Sequence, residues 1–427
     1  MSKWHWILLQ FTRRLWVRAA LIGFLGICAA GLASLVDELP TLPIKFDIGA
    51  DAIENILTII ASSMLTVTTF SLSVMTAAFN TATSNATPRA TRLLIEDHSS
   101  QNALSSFIGS FLFSMVGLVV LNAGAYGPQG RIVLFAVTVL VIALVVLSLL
   151  RWIDYLTKLG RVEEAADRVE QATKNAMLTR LAAPYLGGRA LLDEDAIPAW
   201  AIGIFSESTG YIQHVDLQRL SNCATEAGGE IFLAATPGTF VFLNTNLAYI
   251  TLDASKKDKE NIEHFRAAVQ NAITIGNERN FDQDPRFGLC VLSEIAIRAL
   301  SPGVNDPGTA IDIIGRQARL LTLWSQKQQS NDADHDSDSD DVSFPNIHVP
   351  PLRSVDLFDD SFHLIARDGA GQVEVQMRLR KVLKALSEIG ENAFSAAAHN
   401  QAAIALVHAE SSLTLEEDKD RVRAITF

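Results

Sequence analysis

Four apolar stretches in the first 150 residues constrain this chain more than any other feature it carries. They lie near 16–36, 53–79, 104–126 and 132–150. Each is long enough to supply the about 20 helical residues that cross a hydrocarbon core of about 30 Å. Arg18 alone interrupts the first, and the second has no charge after Glu54. A basic N-terminus ahead of an apolar run can also mark a cleavable signal peptide. This run exceeds a signal h-region and three more follow it, so it reads as an anchor.

The flanking charges give an orientation. Lys3, Arg13, Arg14 and Arg18 precede the first span, Arg89 and Arg92 separate the second from the third, and Arg151, Lys158 and Arg161 follow the fourth. Of basic residues the intervening outer loops carry only Lys45, among several acids, and Arg131. Excess Lys and Arg stay on the cytoplasmic side, so both termini are expected in the cytoplasm and the protein in the bacterial inner membrane. Most charge lies beyond Arg151, which separates an apolar first part from a water-compatible second part. The net charge of −12 argues against nucleic acid, since neutralising phosphates needs a basic face and none is visible in the sequence. Cys28, Cys223 and Cys290 are far apart, so neither a disulfide framework nor a zinc site is expected, and no cofactor or metal is implied.

The second span is unusual. Thr58, Ser62, Thr66, Thr69, Ser73, Thr76 and Asn80 follow one another in steps of four and three, which keeps them on one helical face, and Thr83 extends the row. Ile59, Ile60, Leu65, Phe70 and Leu72 are expected on the opposite face. Polar groups facing lipid are poorly solvated, so the stripe should meet protein or water. The plainer account is helix packing, since Ser and Thr can bond their own i−4 carbonyl. The sharper one is the lining of a water-filled path at an oligomer axis. No ionisable residue lies within the stripe, which argues against a proton-coupled pump.

Beyond span four, "KLGRVEEAADRVEQATKNAMLTRL" reads as a charged helix continuing out of the membrane as a stalk. Strands are expected in "AWAIGIFSESTGYIQHVD", "EIFLAAT" and "TFVFLNTNLAYITLD", with a helix between Asp216 and Gly228. Helices are expected near 257–275, 285–300 and 307–324 and again after Gly371, with "FHLIA" rejoining the sheet. The fold class is an α-helical membrane domain of four transmembrane helices (1–157) and a stalk (158–184), plus a cytoplasmic α+β domain (185–427). An acidic run inside 329–345 reads as a disordered loop, because its EF-hand-like start lacks the glycine and the bidentate glutamate that calcium needs.

The stretch "RALSPGVNDPGTAID" (298–312) is a corner between two of those helices. Pro302 and Gly303 stop the first, glycine allowing a left-handed turn, and Asp306 caps the second ahead of Pro307. Capping leaves a set of polar residues unexplained: Arg279, Gln283, Asp284, Glu294, Arg298 and Asn305, with Asp306 itself. They read as a hydrogen-bonded clasp or as a pocket for a small ligand or ion. No Ser-His-Asp, H-E-x-x-H, P-loop or dinucleotide motif accompanies them, so an enzyme is not expected; His363 and His399 stand apart and read as structural.

Two segments also carry a resemblance. "SSMLTVTTFSLSVMTAAFNTATSNATPRATRLLIEDHSSQNALSSFIGSFLFS" and "ERNFDQDPRFGLCVLSEIAIRALSPGVNDPGTAID" resemble the signature regions of an uncharacterised bacterial family of predicted membrane proteins. Asn280 stands where that family usually has threonine. The resemblance implies a membrane location and supplies no activity. The residues themselves lead us to expect a homo-oligomeric channel or channel-like transporter in contact with the lipid bilayer. The alternative is a membrane-anchored sensor or scaffold.

Overall fold

The computed structural model of the protein describes residues 15–35, 49–95, 97–334 and 342–427. Two compact units account for them, one running up to Ser84 and resuming over Thr91–Ala165, the other made of Asn85–Ala90 with Ala166–Phe427.

The apolar unit is helical: α1 (Leu15–Leu35), α2 (Ala50–Asn85), α3 (Pro88–Ile95, which straddles the boundary), α4 (His98–Asn122) and α5 (Pro128–Lys158). Among the described residues three helices, α2, α4 and α5, are long and apolar enough to cross a membrane. The first expected span falls on α1, where the described apolar stretch is the shorter Ala20–Ala29. Ile53, Leu57, Ile60 and Met64 of α2 pack with Phe107 and Phe113 of α4 and with Leu134, Val145 and Trp152 of α5. Glycines bring α1 against α4. A methyl on Gly26 would meet the Gly109 carbonyl oxygen at 2.9 Å, and one on Gly109 would meet Ile22 Cγ2 at 2.6 Å. Small residues allow this approach where lipid offers no hydrophobic drive.

The helix expected to run on from the last apolar stretch is separate from α5. Helix α5 ends at Lys158, Leu159 turns extended, and Gly160 adopts φ +87°, a conformation costly for a residue with a Cβ. A separate helix, α6 (Val162–Ala182), follows.

The second unit combines two sheets with helices. Its strands are β1 (Gly188–Ala190), β2 (Ile202–Phe205), β3 (Gly210–Val215), β4 (Ile231–Leu233), β5 (Phe240–Val241), β6 (Asn246–Ile250), β7 (Ile273–Gly276) and β8 (Phe344–Val349). One sheet has the order β1-β8-β4-β6-β2 and the other β5-β3-β7. Helix α7 (Leu217–Ala227) begins at Asp216, whose side chain accepts from the Arg219 N–H, and ends at Gly228 in the left-handed region. Helix α8 (Lys259–Ala272) and α7 bury Phe265, Val269, Leu220 and Ala224 against Ile231, Ile250 and Ile347 of the sheet. The expected helix over 257–275 stops early: β-branched Ile273, Thr274 and Ile275 pair with β3 as β7.

Helices make up most of the rest: α9 (Pro285–Ala299), α10 (Pro307–Asp334), α11 (Ser354–Phe358), α12 (Leu364–Asp368), α13 (Val373–Ile389), α14 (Asn392–Ser412) and α15 (Glu416–Arg423). "FHLIA" is not a strand. Phe358, Phe362, Ile365 and Ala366 are all buried, which is helical periodicity, and a π-helical turn (Asp359–His363) leads into α12. The strand that does join the sheet is β8, from "FPNIHV". Within the acidic run expected over 329–345, α10 reaches Asp334 and β8 starts at Phe344, while 335–341 lie outside the described residues. Arg380 of α13 holds the C-terminal elements, donating to the carbonyls of Ala402 at 2.9 Å, Val422 at 3.1 Å and Ile425 at 2.5 Å.

Candidate functional site

In the apolar unit, Thr58, Ser62, Thr66, Thr69, Ser73, Thr76 and Asn80 are all exposed along α2. The face that packs inward is nearly opposite, carrying Ile53, Leu57, Ile60, Ala61, Met64, Ser71, Met75 and Ala82. Of the apolar residues expected opposite the stripe, only Ile60 lies on that face. Ile59, Leu65, Phe70 and Leu72 are exposed on either side of the stripe and form its apolar borders, because 100° per residue puts them about a quarter turn from its centre. The hydroxyls turn back on their own helix. Ser62 donates to the Thr58 carbonyl at 2.9 Å, Thr66 to Ser62 at 2.9 Å, Ser73 to Thr69 at 3.0 Å and Thr76 to Leu72 at 2.8 Å. Thr69 reaches both Leu65 at 3.1 Å and Thr66 at 2.9 Å. Each proton is used locally, while the oxygen keeps lone pairs that can accept from outside.

In the second unit the polar residues around the corner fall into separate arrangements. Asp284 is the N-cap of α9 and accepts from the Phe287 N–H at 3.1 Å. Its carboxylate also takes Arg279, from Nε at 2.7 Å and from Nη2 at 3.0 Å. Burial works against the Arg279 charge, but the bond and charge of Asp284 outweigh it and raise its pKa. Burial pushes the Asp284 carboxyl up from its ordinary value, against the pull of Arg279 and the Phe287 N–H. Gln283 belongs to a different contact, bracketing the backbone of Val215 on β3 through a bond from the Val215 N–H at 3.0 Å.

Further along α9, Arg286 forks onto Asp360, Nε to Oδ2 at 2.6 Å, and Cys290 lies 3.6 Å from Arg279 Nη1. Burial pushes the Cys290 thiol up to about 12, with Asp360 acting the same way and Arg279 opposing it. It is therefore a thiol, not a nucleophilic thiolate, at neutral pH. One turn on, Glu294 accepts from the Thr87 hydroxyl at 3.0 Å and from Arg89 Nη1. Glu294 and Arg298 line an open cleft of about 470 Å³ together with Ala86, Thr87, Ser301 and Asp368.

At the corner, Asp306 accepts from the Thr309 N–H at 3.1 Å and from the Thr309 hydroxyl at 2.6 Å. The left-handed residue is Asn305, with φ +50°, and not Gly303. Asn tolerates that region, and its side-chain oxygen accepts from Gln372 Nε2 at 3.1 Å. Arg286, Cys290, Asp360, Thr87 and Arg89 were not singled out with the cluster from sequence. The four-residue spacing of Arg286, Cys290, Glu294 and Arg298 could have marked the α9 members as one face. No sequence signal ties Glu294 to Thr87, 207 positions away. Among the described residues no group of three or more His, Cys, Asp or Glu is placed to hold a metal ion.

Uncharacterised proteins of Mycobacterium bovis and of Mycobacterium tuberculosis are each 24% identical to the chain over 288 residues, 66% of this chain and 54% of the relative. The chain thus spans about half the length of these curated relatives. No solved structure matches it. Residues 12–385 match the model of a family described as predicted membrane protein. That match takes in both the stripe helix and the α9–α10 corner, and the chain belongs to this family, DUF2254.

Proposed function

We propose that the protein is a homo-oligomeric channel or channel-like transporter, with the hydroxyl stripe of α2 lining the path and the α+β unit gating it. One observation carries this reading: the stripe is exposed on the side of α2 away from its packing face. Stacked oxygens with free lone pairs suit water or a partly dehydrated ion better than lipid, and apposed copies of α2 would enclose them. In the same reading α1 is a fourth span and both termini lie in the cytoplasm of a bacterial inner membrane, as the flanking arginines and lysines favour. The cleft beside Glu294 and Arg298 is then the place for a small ligand or ion.

The second reading, an anchored sensor or scaffold, is favoured by the hydroxyl bonds to the stripe's own carbonyls. Satisfied donors let α2 pack on another helix without water. Replacing Thr66 or Thr69 by valine keeps the side-chain shape and removes the hydroxyl. In liposomes carrying the full chain, a lining stripe makes this change flux or selectivity while assembly stays intact. A stripe used for packing makes it change assembly alone. Absence of flux for a broad panel of ions and small solutes in wild-type liposomes overturns the channel in favour of the scaffold.

A further inference from the structure

The stripe helix is followed directly in sequence by a segment that belongs to the other unit. α2 ends at Asn85, and Asn85–Ala90 is compact with the residues beyond Ala166. Ala86, Thr87 and Ala90 within it are buried. Pro88 opens α3, and Thr87 sits just ahead of it, its oxygen 3.4 Å from the Arg89 N–H. Thr87 and Arg89 both turn to the same acceptor, the carboxylate of Glu294 on α9: the hydroxyl reaches Oε2 at 3.0 Å and the guanidinium reaches Oε1. Helix α9 is itself held at its other end, through Asp284 to Arg279 and through Arg286 to Asp360. Glu294 therefore joins a firmly seated helix to the residues that immediately follow the stripe. The cleft borders this joint, with Ala86 and Thr87 on its lining beside Glu294.

We propose that Glu294 is a latch: by holding Thr87 and Arg89 it fixes on α9 the segment that follows α2, and releasing it frees that segment. As a control on permeation the latch rests on the channel reading; as a mechanical joint it does not. Arg89 is the better handle for a test, because its side chain is 57% exposed against 24% for Glu294, so changing it spares the interior.

The experiment uses the full chain in lipid nanodiscs and reads amide hydrogen exchange over 86–92. Glu294→Ala and Arg89→Glu should each speed exchange there by about tenfold, as loss of a charge-assisted bond does. The charge swap Arg89→Glu with Glu294→Arg should restore most of the protection, which a purely space-filling role for Glu294 would not. Unchanged exchange in Arg89→Glu overturns the latch even where Glu294→Ala fails to fold, and so does a swap that rescues nothing. The same samples in liposomes separate the two ideas. No flux from the wild type removes the channel and leaves the exchange result to decide the joint. Wild-type flux that Arg89→Glu leaves unaltered, with exchange accelerated, overturns the latch as a control on the path.

Discussion

Arg279 and Asp284 meet fork to fork, with two nitrogen–oxygen contacts of 2.7 and 3.0 Å, and the acid that completes this pair is also the N-cap of α9. Asp284 is 4% exposed and Arg279 19%, so the pair lies mostly out of water. Two parallel charge-assisted bonds make it geometrically specific. Removing one partner of such a pair leaves the other charge buried without compensation.

Arg279→Gln should therefore destabilise the protein by about 3 kcal/mol. Adding Asp284→Asn should recover much of that, since asparagine still offers an acceptor to the Phe287 N–H and no charge remains to desolvate. The single variant should also gain a pH dependence. Burial already holds the Asp284 carboxyl above its ordinary value, and the loss of Arg279 takes away the main opposing pull. An acid raised in the folded state binds its proton more tightly there than in the unfolded chain. Its contribution is fully present below the ordinary carboxylate pKa and is lost as pH rises through the folded value. Thermal unfolding of the full chain in detergent should show Arg279→Gln recovering towards acid pH. A pH-independent loss would mean that the pair acts through packing alone.

At the corner the sign is reversed. The Thr309 hydroxyl, then the Thr309 N–H, hold the Asp306 carboxyl below its ordinary value. Its capping contribution is present above the unfolded pKa of about 3.9 and is lost as pH falls through the lower folded value. Asp306→Ala should cost about 1 kcal/mol at neutral pH. Asp306→Asn keeps an acceptor and should cost less. Read as hydrogen exchange in the first turn of α10, the gap between wild type and Asp306→Ala should close as pH drops below about 4. A gap that persists would mean that the carboxylate charge contributes nothing to the cap.

Local chemistry made much of this molecule legible. Apolar length marked α2, α4 and α5, the pairing of Asp216 with Gly228 bounded α7, and Asp306-Pro307 opened α10. Failures arose where two local codes competed. "FHLIA" is apolar and short enough for a strand, but Phe358 ahead of it and its own Phe362 and Ile365 form one buried helical face. Ile273–Gly276 could have prolonged α8 had β3 not been there to pair with it. Gly303 was the residue suited to φ above zero, yet Gln372 holds Asn305 there instead. The polar residues around the corner were harder still. They could be named, but partners such as Thr87, Val215 and Gln372 could not, because these reach Glu294, Gln283 and Asn305 only through the tertiary fold.

The cysteines give a check on how closed α9 is. Burial raises the Cys290 thiol to about 12, and burial with Glu226 raises Cys223 to about 11. An ordinary thiol near 8.5 is partly ionised at pH 8, so these two should alkylate slower by a factor on the order of a hundred to a thousand. Iodoacetamide at pH 8 followed by mass spectrometry should leave both unmodified in the native chain and modify both after denaturation. Rapid native labelling of Cys290 would show that the Arg279 end of α9 opens.

The place of α1 can be tested by one substitution made at two sites. A methyl on Gly26 would meet the Gly109 carbonyl oxygen at 2.9 Å and Phe113 Cβ at 3.3 Å, so backbone must shift to admit it. A methyl on Gly31, in the same helix, would meet nothing within 4 Å. Overpacking of this kind costs about 2 kcal/mol. In open space alanine is instead preferred to glycine within a helix by about 0.5–1 kcal/mol. Gly26→Ala should therefore lower the melting temperature of the full chain in detergent, and Gly31→Ala should leave it unchanged or raise it. The opposition of sign is the informative part, since it cancels any general effect of making α1 more helical. If both changes raise the melting temperature, α1 is not seated against α4, and the first span of the proposed topology loses its structural support.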